Sequence, residues 1–463
     1  MPYVIRNELW SLLRLAGPLI AAQVAHVLMT FTDTLMMGKL GPQALAGGAL
    51  GSTIYTFTSV VCMGVMAAVG TLAAVRHGAG DAAEVARLTQ AGLWVGWVLS
   101  LLAALMLWNI APLLHAFGQA PDNVESARQF LLFVPLALPG FLSFMVLRGF
   151  TSAIGRTGPV MAIAAGGALA NYLLNDALIE GWFGLPRLGL AGIGLTTALV
   201  SSCMALMMAW HVGRHRAYAP YSLRKGLARP QHRAIKDVLR LGLPIGGTYA
   251  VESALFAFGS LCMGALGNTQ MAAHQIALQS VIVAFMVPVG LSYALSMRIG
   301  QHLGGGRLLE VRRAGRLGIG FGALCMLGFA TLFWLAPGWV VGLYLDEGDP
   351  AYQGVIALAI KLLAIAAVFE LFDGIQSIAM GAIRGLRDAR TTFLMGLFCY
   401  WGVGAPATWL LAFHYGWGAQ GVWWGLAIGL AVAAIGMTLA FEYKCAGMLA
   451  KPRQPSVALA QAL

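Results

Sequence analysis

Five carboxylates stand inside long apolar runs: Asp33, Asp176, Glu252, Glu370 and Asp373. An ionised carboxylate at the centre of an apolar helix in a bilayer costs about 3 kcal/mol on an insertion scale. Several together approach the roughly 5–15 kcal/mol that holds a typical fold together. Such groups are kept for function, or they are hydrogen-bonded by neighbouring helices as structural elements. Their spacing is ordered. His26 lies two helical turns before Asp33, so both point to one face. Asn171 and Asn175 stack on one face as an i, i+4 pair. Glu370, Asp373 and Ser377 fall at i, i+3 and i+7, again on one face. Buried carboxylates, amides and an imidazole can take up and release protons or small cations. No Lys or Arg falls in the middle of any of these runs, which makes the expected cleft acidic.

Other chemistry is absent. No G-x-x-x-x-G-K-[ST] phosphate loop occurs, which argues against ATP as the driver. Gly304-Gly305-Gly306-Arg307 lacks the lysine and hydroxyl that phosphate chemistry needs and reads as a loop. Neither H-E-x-x-H nor C-x-x-C is found. The six cysteines (Cys62, Cys203, Cys262, Cys325, Cys399, Cys445) lie in or at the edge of apolar segments with no close pair, as small hydrophobes. Tyr55, Phe57, Phe256, Phe258, Phe285 and Met286 surround the polar positions. They read as packing, or as an adaptable lining for apolar cations.

The elements that position these groups are membrane spans. Apolar residues make up 59% of the chain and charged residues 10%, against about 25% charged in a soluble domain. Twelve apolar segments follow one another at about 11–38, 44–76, 88–115, 125–150, 157–180, 188–213, 237–264, 270–300, 314–345, 355–383, 391–413 and 419–445. The pattern predicts an all-α integral membrane protein and excludes a porin-like barrel, whose strands alternate over about ten residues. With both termini inside, only Lys39, Arg128, Arg187 and Lys361 of the 29 Lys and Arg fall outside. The net charge of +11 thus reports orientation and contact with anionic lipid headgroups rather than nucleic acid. The start, MPYVIRNELW, has no cleavage site after a short apolar core and reads as lacking a cleavable signal.

The chain is also written twice. Leu13-Arg14-Leu15 with Pro18 matches Leu239-Arg240-Leu241 with Pro244. Met37-Gly38-Lys39-Leu40-Gly41 matches Met263-Gly264-Ala265-Leu266-Gly267. Gly78, Gly80, Glu84, Val85 and Arg87 match Gly304, Gly306, Glu310, Val311 and Arg313. One offset of 226 residues serves every pair. The expected organisation is a six-helix lobe over 1–213, a basic cytoplasmic linker over 214–236, and a second lobe with a short tail over 237–463. Parallel halves of this kind are related by an axis along the membrane normal. Glu252 takes the place of His26 under the offset, and Gly259 that of Asp33, so the lobes share a backbone plan and differ in chemistry.

Asp33 before Met36-Met37-Gly38-Lys39-Leu40-Gly41, Pro244 before Glu252, and Ala272-Ala273-His274-Gln275-Ile276 resemble the multidrug and toxic compound extrusion (MATE) transporters of the NorM branch. The resemblance spans essentially the whole chain. It implies a monomeric multi-pass protein of the bacterial inner membrane, not an enzyme, that exports cationic drug-like molecules in exchange for H+ and/or Na+ and needs no other cofactor. It implies a C-lobe cation site at Glu252 and Asp373, with Na+ a possible ligand there. It also implies an N-lobe acidic site at Asp33, with Asn171, Asn175 and Thr196 or Thr197 near it. The sequence departs from the pattern at Phe369, where some members place a tyrosine that ligates the ion; Glu370 is expected to compensate, or the site to favour protons. A second departure is Asn175, where another branch has aspartate.

Two rival readings remain. A flippase for lipid-linked oligosaccharides, of the same superfamily, carries an anionic substrate and should line its cleft with buried basic residues. A membrane-embedded lipid transferase should gather catalytic residues at one interface, on a long loop. The acids here are deep and the loops short.

Overall fold

The computed structural model describes residues 2–450 apart from 117, 182–186, 224–225, 227–230 and 346–351. Asp346, the C-terminal tail and part of the linker, including Arg224, Lys225 and Arg229, lie outside the described residues. Among the described residues, twelve helices are long and apolar enough to cross a membrane. They are α1 Arg6–Lys39, α2 Pro42–Gly78, α3 Ala82–Trp108, α4 Pro121–Ala153, α5 Gly158–Glu180, α6 Gly189–Arg214, α7 His232–Leu266, α8 Asn268–Gly304, α9 Leu308–Leu335, α10 Gln353–Gly385, α11 Arg390–His414 and α12 Gly418–Ala450. No strand occurs among the described residues. The protein is an all-α integral membrane protein of two pseudo-symmetric six-helix lobes.

The repeated residues have local causes. Gly41 and Gly267, one offset apart, join α1 to α2 and α7 to α8 at φ 103° and 131°, where a side chain would strain the backbone. Gly80 and Gly306 do the same between α2 and α3 and between α8 and α9. The short helices Ala111–Ala116 and Pro337–Gly342 also start one offset apart. Two spans depart from regularity. A 3₁₀ turn at Val134–Leu136 interrupts α4, and α11 widens to π geometry at Phe398–Gly404 and Leu410–His414.

The lobes meet through reciprocal contacts. A Cβ on Gly78 would collide with the carbonyl oxygen of Gln301, and one on Gly304 with that of Val75. These are the same contact under the offset. Likewise, a Cβ on Gly64 would stand 2.8 Å from Cα of Gly246, and one on Gly290 2.8 Å from Cα of Ile20. Such self-complementary pairing is what a two-fold axis between the lobes produces. Thr71 and Ser296 hydroxyls face each other 3.1 Å apart across the same seam. All these contacts lie in the halves of α1, α2, α7 and α8 that end at the face carrying both termini. The other halves of α1 and α2 pack within their own lobe: Gly47 and Gly51 fit against Ser126 and Ala127 of α4. The lobes are closed at the terminal-bearing face and diverge toward the opposite one.

Candidate functional site

In the N-lobe the polar positions converge. Asp33 Oδ1 accepts from Asn171 Nδ2 at 3.1 Å and from Asn175 Nδ2 at 2.7 Å, and Oδ2 accepts from Thr197 Oγ1 at 3.1 Å. The i, i+4 stacking on α5 makes this possible, because it aims two amides at one carboxylate. Of the two candidate threonines, Thr197 makes the bond. Thr196 is buried with its hydroxyl unpartnered, as is Asn175 Oδ1. Asp176 does not join the cluster: its carboxylate pairs with Lys39 Nζ at 3.0 Å, at the far ends of α1 and α5. His26 stacks on Phe141, with ring centroids 5.5 Å apart.

In the C-lobe, Glu252 on α7 and Asp373 on α10 are linked by a residue that sequence reasoning missed. Gln376 Nε2 donates to Glu252 Oε1 at 2.8 Å and approaches Asp373 Oδ1 at 3.4 Å, while its Oε1 accepts from Tyr400 OH at 2.6 Å. Tyr400 sits in the first π segment of α11, a widened turn of the kind that collects at functional sites. Phe369 is buried between Phe256 and Trp423, with centroids 5.9 and 5.3 Å away. Residue 369 thus offers no oxygen to the pair, while Tyr400 of α11 brings a hydroxyl to the amide that joins it. Glu370 is fully buried and neither carboxyl oxygen has a hydrogen-bond partner. Among the described residues no three of His, Cys, Asp and Glu are grouped to hold a metal ion.

Two neighbouring cavities share His26 and Tyr55 in their walls. One lies within the N-lobe and is lined by Asp33, His26, Tyr55 and Thr197. The other, about 250 Å³, lies between the lobes and is lined by His26, Tyr55, Glu252, Phe256, Phe285 and Met286. Asp373 stands behind Glu252, with Gln376 bonded to both. Phe57 is an exposed residue of α2, and Phe258 packs against Trp401; neither lines these cavities.

The expectation of a cleft without basic residues is overturned. Arg148 of α4 and Arg384 of α10 fall near helix ends in sequence, yet they are buried, at 5% and 2% exposure; Arg148 lines the N-lobe cavity and Arg384 the one between the lobes. Arg148 Nη1 donates to Gln23 Oε1 at 2.6 Å. Arg384 donates to Tyr249 OH at 2.7 Å and to Ser292 Oγ at 2.8 Å. The helices extend past the apolar windows, and long side chains reach inward from their last turns.

Two separate stretches of the chain, 18–175 and 244–410, match the MatE family model, and their starts are one offset apart. The chain belongs to the MatE family. Two curated MatE-type relatives, each called "Probable multidrug resistance protein NorM", are similar to it over nearly their whole length. One, from Pseudomonas syringae pv. tomato, is 64% identical over 96% of this chain and 97% of its own. The other, from Pseudomonas aeruginosa, is 65% identical over 96% of this chain and 91% of its own. Among solved structures, one described as the outward-facing conformation of a multidrug resistance MATE family transporter of the MOP superfamily superposes with a TM-score of 0.85. It is 20% identical, covering 96% of each chain. That likeness carries the MATE fold alone. This MatE chain is a multi-pass membrane protein of a transporter family.

Proposed function

We propose that the protein is a multidrug efflux antiporter of the bacterial inner membrane, exporting cationic organic compounds in exchange for H+ and/or Na+ by alternating access. One observation carries the reading: a cavity between two lobes that are closed at one face, with a hydrogen-bonded acid cluster in each lobe. Cation chemistry follows from Asp33 and Glu252 at the walls of the two neighbouring cavities. The aromatic and Met lining offers apolar and cation–π contact to a bulky organic cation. Exchange follows if the coupling ion and the cargo compete for these carboxylates through one conformational equilibrium. The reciprocal seam supplies that equilibrium, because rocking the lobes about the two-fold would open the closed face and close the other.

Within this reading the proton is the first candidate ion. An ionised Glu370 with no donor would be an uncompensated buried charge, and a proton relieves it. Na+ at Glu252 and Asp373 is the alternative, with Tyr400 and Gln376 as further oxygen donors. The positive-inside asymmetry supports cytoplasmic termini, and with that orientation the space faces outward. The protein acts as a monomer against membrane lipid. The test is dye uptake into everted vesicles, driven by an imposed pH or Na+ gradient. Uptake that ignores both gradients would remove the antiport reading.

Arg148 and Arg384 keep the oligosaccharide flippase in view, because buried basic residues are what it requires. Four buried acids (Asp33, Glu252, Glu370, Asp373) against two arginines still favour a cationic cargo, and so do the names of relatives above 60% identity.

A further inference from the structure

The Leu-Arg-Leu triplet that opens both halves of the repeat takes no part in the acid clusters. Arg240, from its second copy, lines a cavity of about 370 Å³ at the terminal-bearing face. Arg387 and Arg390, at the turn between α10 and α11, line the same cavity. All three arginines are exposed, and none makes a hydrogen bond or ion pair among the described residues. Beneath them the lining is apolar, with Leu72 of α2 and Ala389 buried in one core cluster. The two acids at the rim do little to balance the charge. Asp388 accepts from the backbone N–H and the hydroxyl of Thr391 at 3.0 and 2.8 Å, and it pairs with Lys444 of α12. That leaves Asp237 alone against three guanidiniums. The backbone adds an independent sign. Arg387 stands at φ 63°, and Ser222 is the one other non-glycine residue at positive φ among the described residues. Glycine would hold that turn without strain, and strain of this kind collects at functional positions.

We propose that Arg240, Arg387 and Arg390 form a phosphate-binding site at the terminal-bearing face, which takes the headgroup of an anionic phospholipid or a free phosphate. Guanidinium forks match phosphate oxygens in geometry and charge. A phosphate presents oxygens in several directions, and the three arginines come to it from α7, from the turn and from the start of α11. A planar carboxylate presents only two. The anion offsets the surplus positive charge of the rim. The apolar lining beneath suits a ligand that carries hydrocarbon, which favours the lipid. Arg387 and Arg390 also fall between the apolar segments 355–383 and 391–413, at the level where the headgroups of that leaflet lie, and basic pockets between spans are a known way to hold them. The site is separate from the two cavities at the acid clusters and stands whether or not the protein exports cations.

The test uses the full-length protein in a non-ionic detergent, with bound lipid counted by native mass spectrometry. The lipid probes are phosphatidylglycerol and phosphatidylcholine of equal chain length, and inorganic phosphate is the free-anion probe. Phosphatidylglycerol is expected to bind more tightly than phosphatidylcholine by on the order of tenfold. Replacing all three residues (Arg240→Gln, Arg387→Gln, Arg390→Gln) should bring that ratio toward one. Arg387→Gly removes one side chain and keeps the turn, so it should fold like the parent and lose part of the preference. Arg14→Gln takes the same charge from the equivalent position of the other lobe and should leave the preference intact. Inorganic phosphate that displaces phosphatidylglycerol, and raises the melting temperature of the parent but not of the triple variant, would show that free phosphate uses the site. A lipid preference that phosphate leaves untouched would assign the site to headgroups. Equal binding of the two lipids with no phosphate stabilisation overturns the proposal. So does a preference that survives the triple variant, or one that Arg14→Gln weakens as much. A triple variant that does not fold hands the decision to Arg387→Gly, in which an undiminished preference overturns the proposal.

Discussion

Arg298 grips Glu8 through two hydrogen bonds, Nε to Oε1 and Nη2 to Oε2, each 2.8 Å long, and the pair spans the seam between the lobes. Glu8 is on α1 and Arg298 on α8. His302 approaches the same carboxylate at 3.0 Å and reaches Glu310 with its other ring nitrogen. Bidentate guanidinium–carboxylate pairs are the stronger sort of ion pair. This one closes the terminal-bearing face and must break for that face to open. Glu8→Gln is expected to shift the equilibrium toward an open inner face by on the order of tenfold, about 1.4 kcal/mol. Spin labels at Ala82 and Leu308 report the distance between the inner ends. A second, longer distance should appear in the variant; an unchanged distribution would rule out Glu8 as a latch.

The glycines of the seam make a sharper demand. Gly78 and Gly304 admit the backbone of the opposite lobe where no Cβ fits. Gly304→Ala is expected to hold the inner ends apart, at an overpacking penalty of roughly 1–3 kcal/mol in the closed state. Transport should fall while the folded yield is kept, because the inner-open state does not use the contact. Gly166→Ala is the control, since nothing lies within 4 Å of its Cβ position. Equal efflux by Gly304→Ala and Gly166→Ala would contradict the role of the seam.

Periodicity and composition alone foretold the twelve spans, because a bilayer filters for length and apolarity. The 226-residue repeat was likewise visible, and the positions that kept it are those with a backbone reason, such as Gly41 and Gly267. The Asp33 cluster was half legible: i, i+4 spacing pairs Asn171 with Asn175, but nothing local tells whether Thr196 or Thr197 turns inward. Gln376 was passed over because its neighbour Ser377 fits the i+7 stripe, although i+3 from Asp373 was an equal signal. Tyr400 was invisible because a π turn shifts the register that helical periodicity assumes. The arginines were misjudged for a related reason: an apolar window ends where a charge begins, whereas α10 runs on to Gly385 and buries Arg384 in its last turn.

Neutral isosteres separate function from packing. Asp33→Asn, Glu252→Gln and Asp373→Asn preserve shape and remove charge, so each is expected to fold and to lower resistance to a cationic drug at least tenfold. Glu370→Gln tests the unpartnered acid: if a proton already neutralises it, expression and melting should change little. Glu84→Gln, in an exposed i, i+3 pair with Arg87 on α3, is the control, because such pairs contribute little. Full resistance in all three site variants would leave the acids as structural hydrogen-bond acceptors.

Orientation is testable without transport. Only four basic residues lie on the outer side in the proposed topology, and the open face carries Asp122 at the start of α4. A single cysteine at Asp122 should react with an impermeant thiol reagent in intact cells. One at Asp81, the N-cap of α3 at the other face, should react only after permeabilisation. The reverse pattern would invert the topology and turn an exporter's open state into an importer's.

The coupling prediction joins the two clusters to the cargo. Glu252 and Asp373 share Gln376, whose amide can donate to both while its carbonyl is held by Tyr400. Two carboxylates so close in a low-dielectric site repel unless a proton or a cation sits among them. A cationic dye supplies the missing charge in one state, and the coupling ion supplies it in the other. Protonating Glu252 removes the charge that attracts the dye, so dye affinity should fall as the pH falls. Lowering the pH from about 8 to about 6 is expected to weaken dye binding to the purified protein several-fold, the sign that linkage requires when the free site takes up a proton that the dye-bound site does not. Glu252→Gln or Asp373→Asn should flatten the dependence. Na+ should compete as well, but less strongly, since Phe369 offers no oxygen beside the pair. Titrating dye affinity against pH at fixed Na+, then against Na+ at fixed pH, distinguishes the two ions. Steep loss with Na+ and indifference to pH would make this a sodium exchanger, and indifference to both would end the antiport reading.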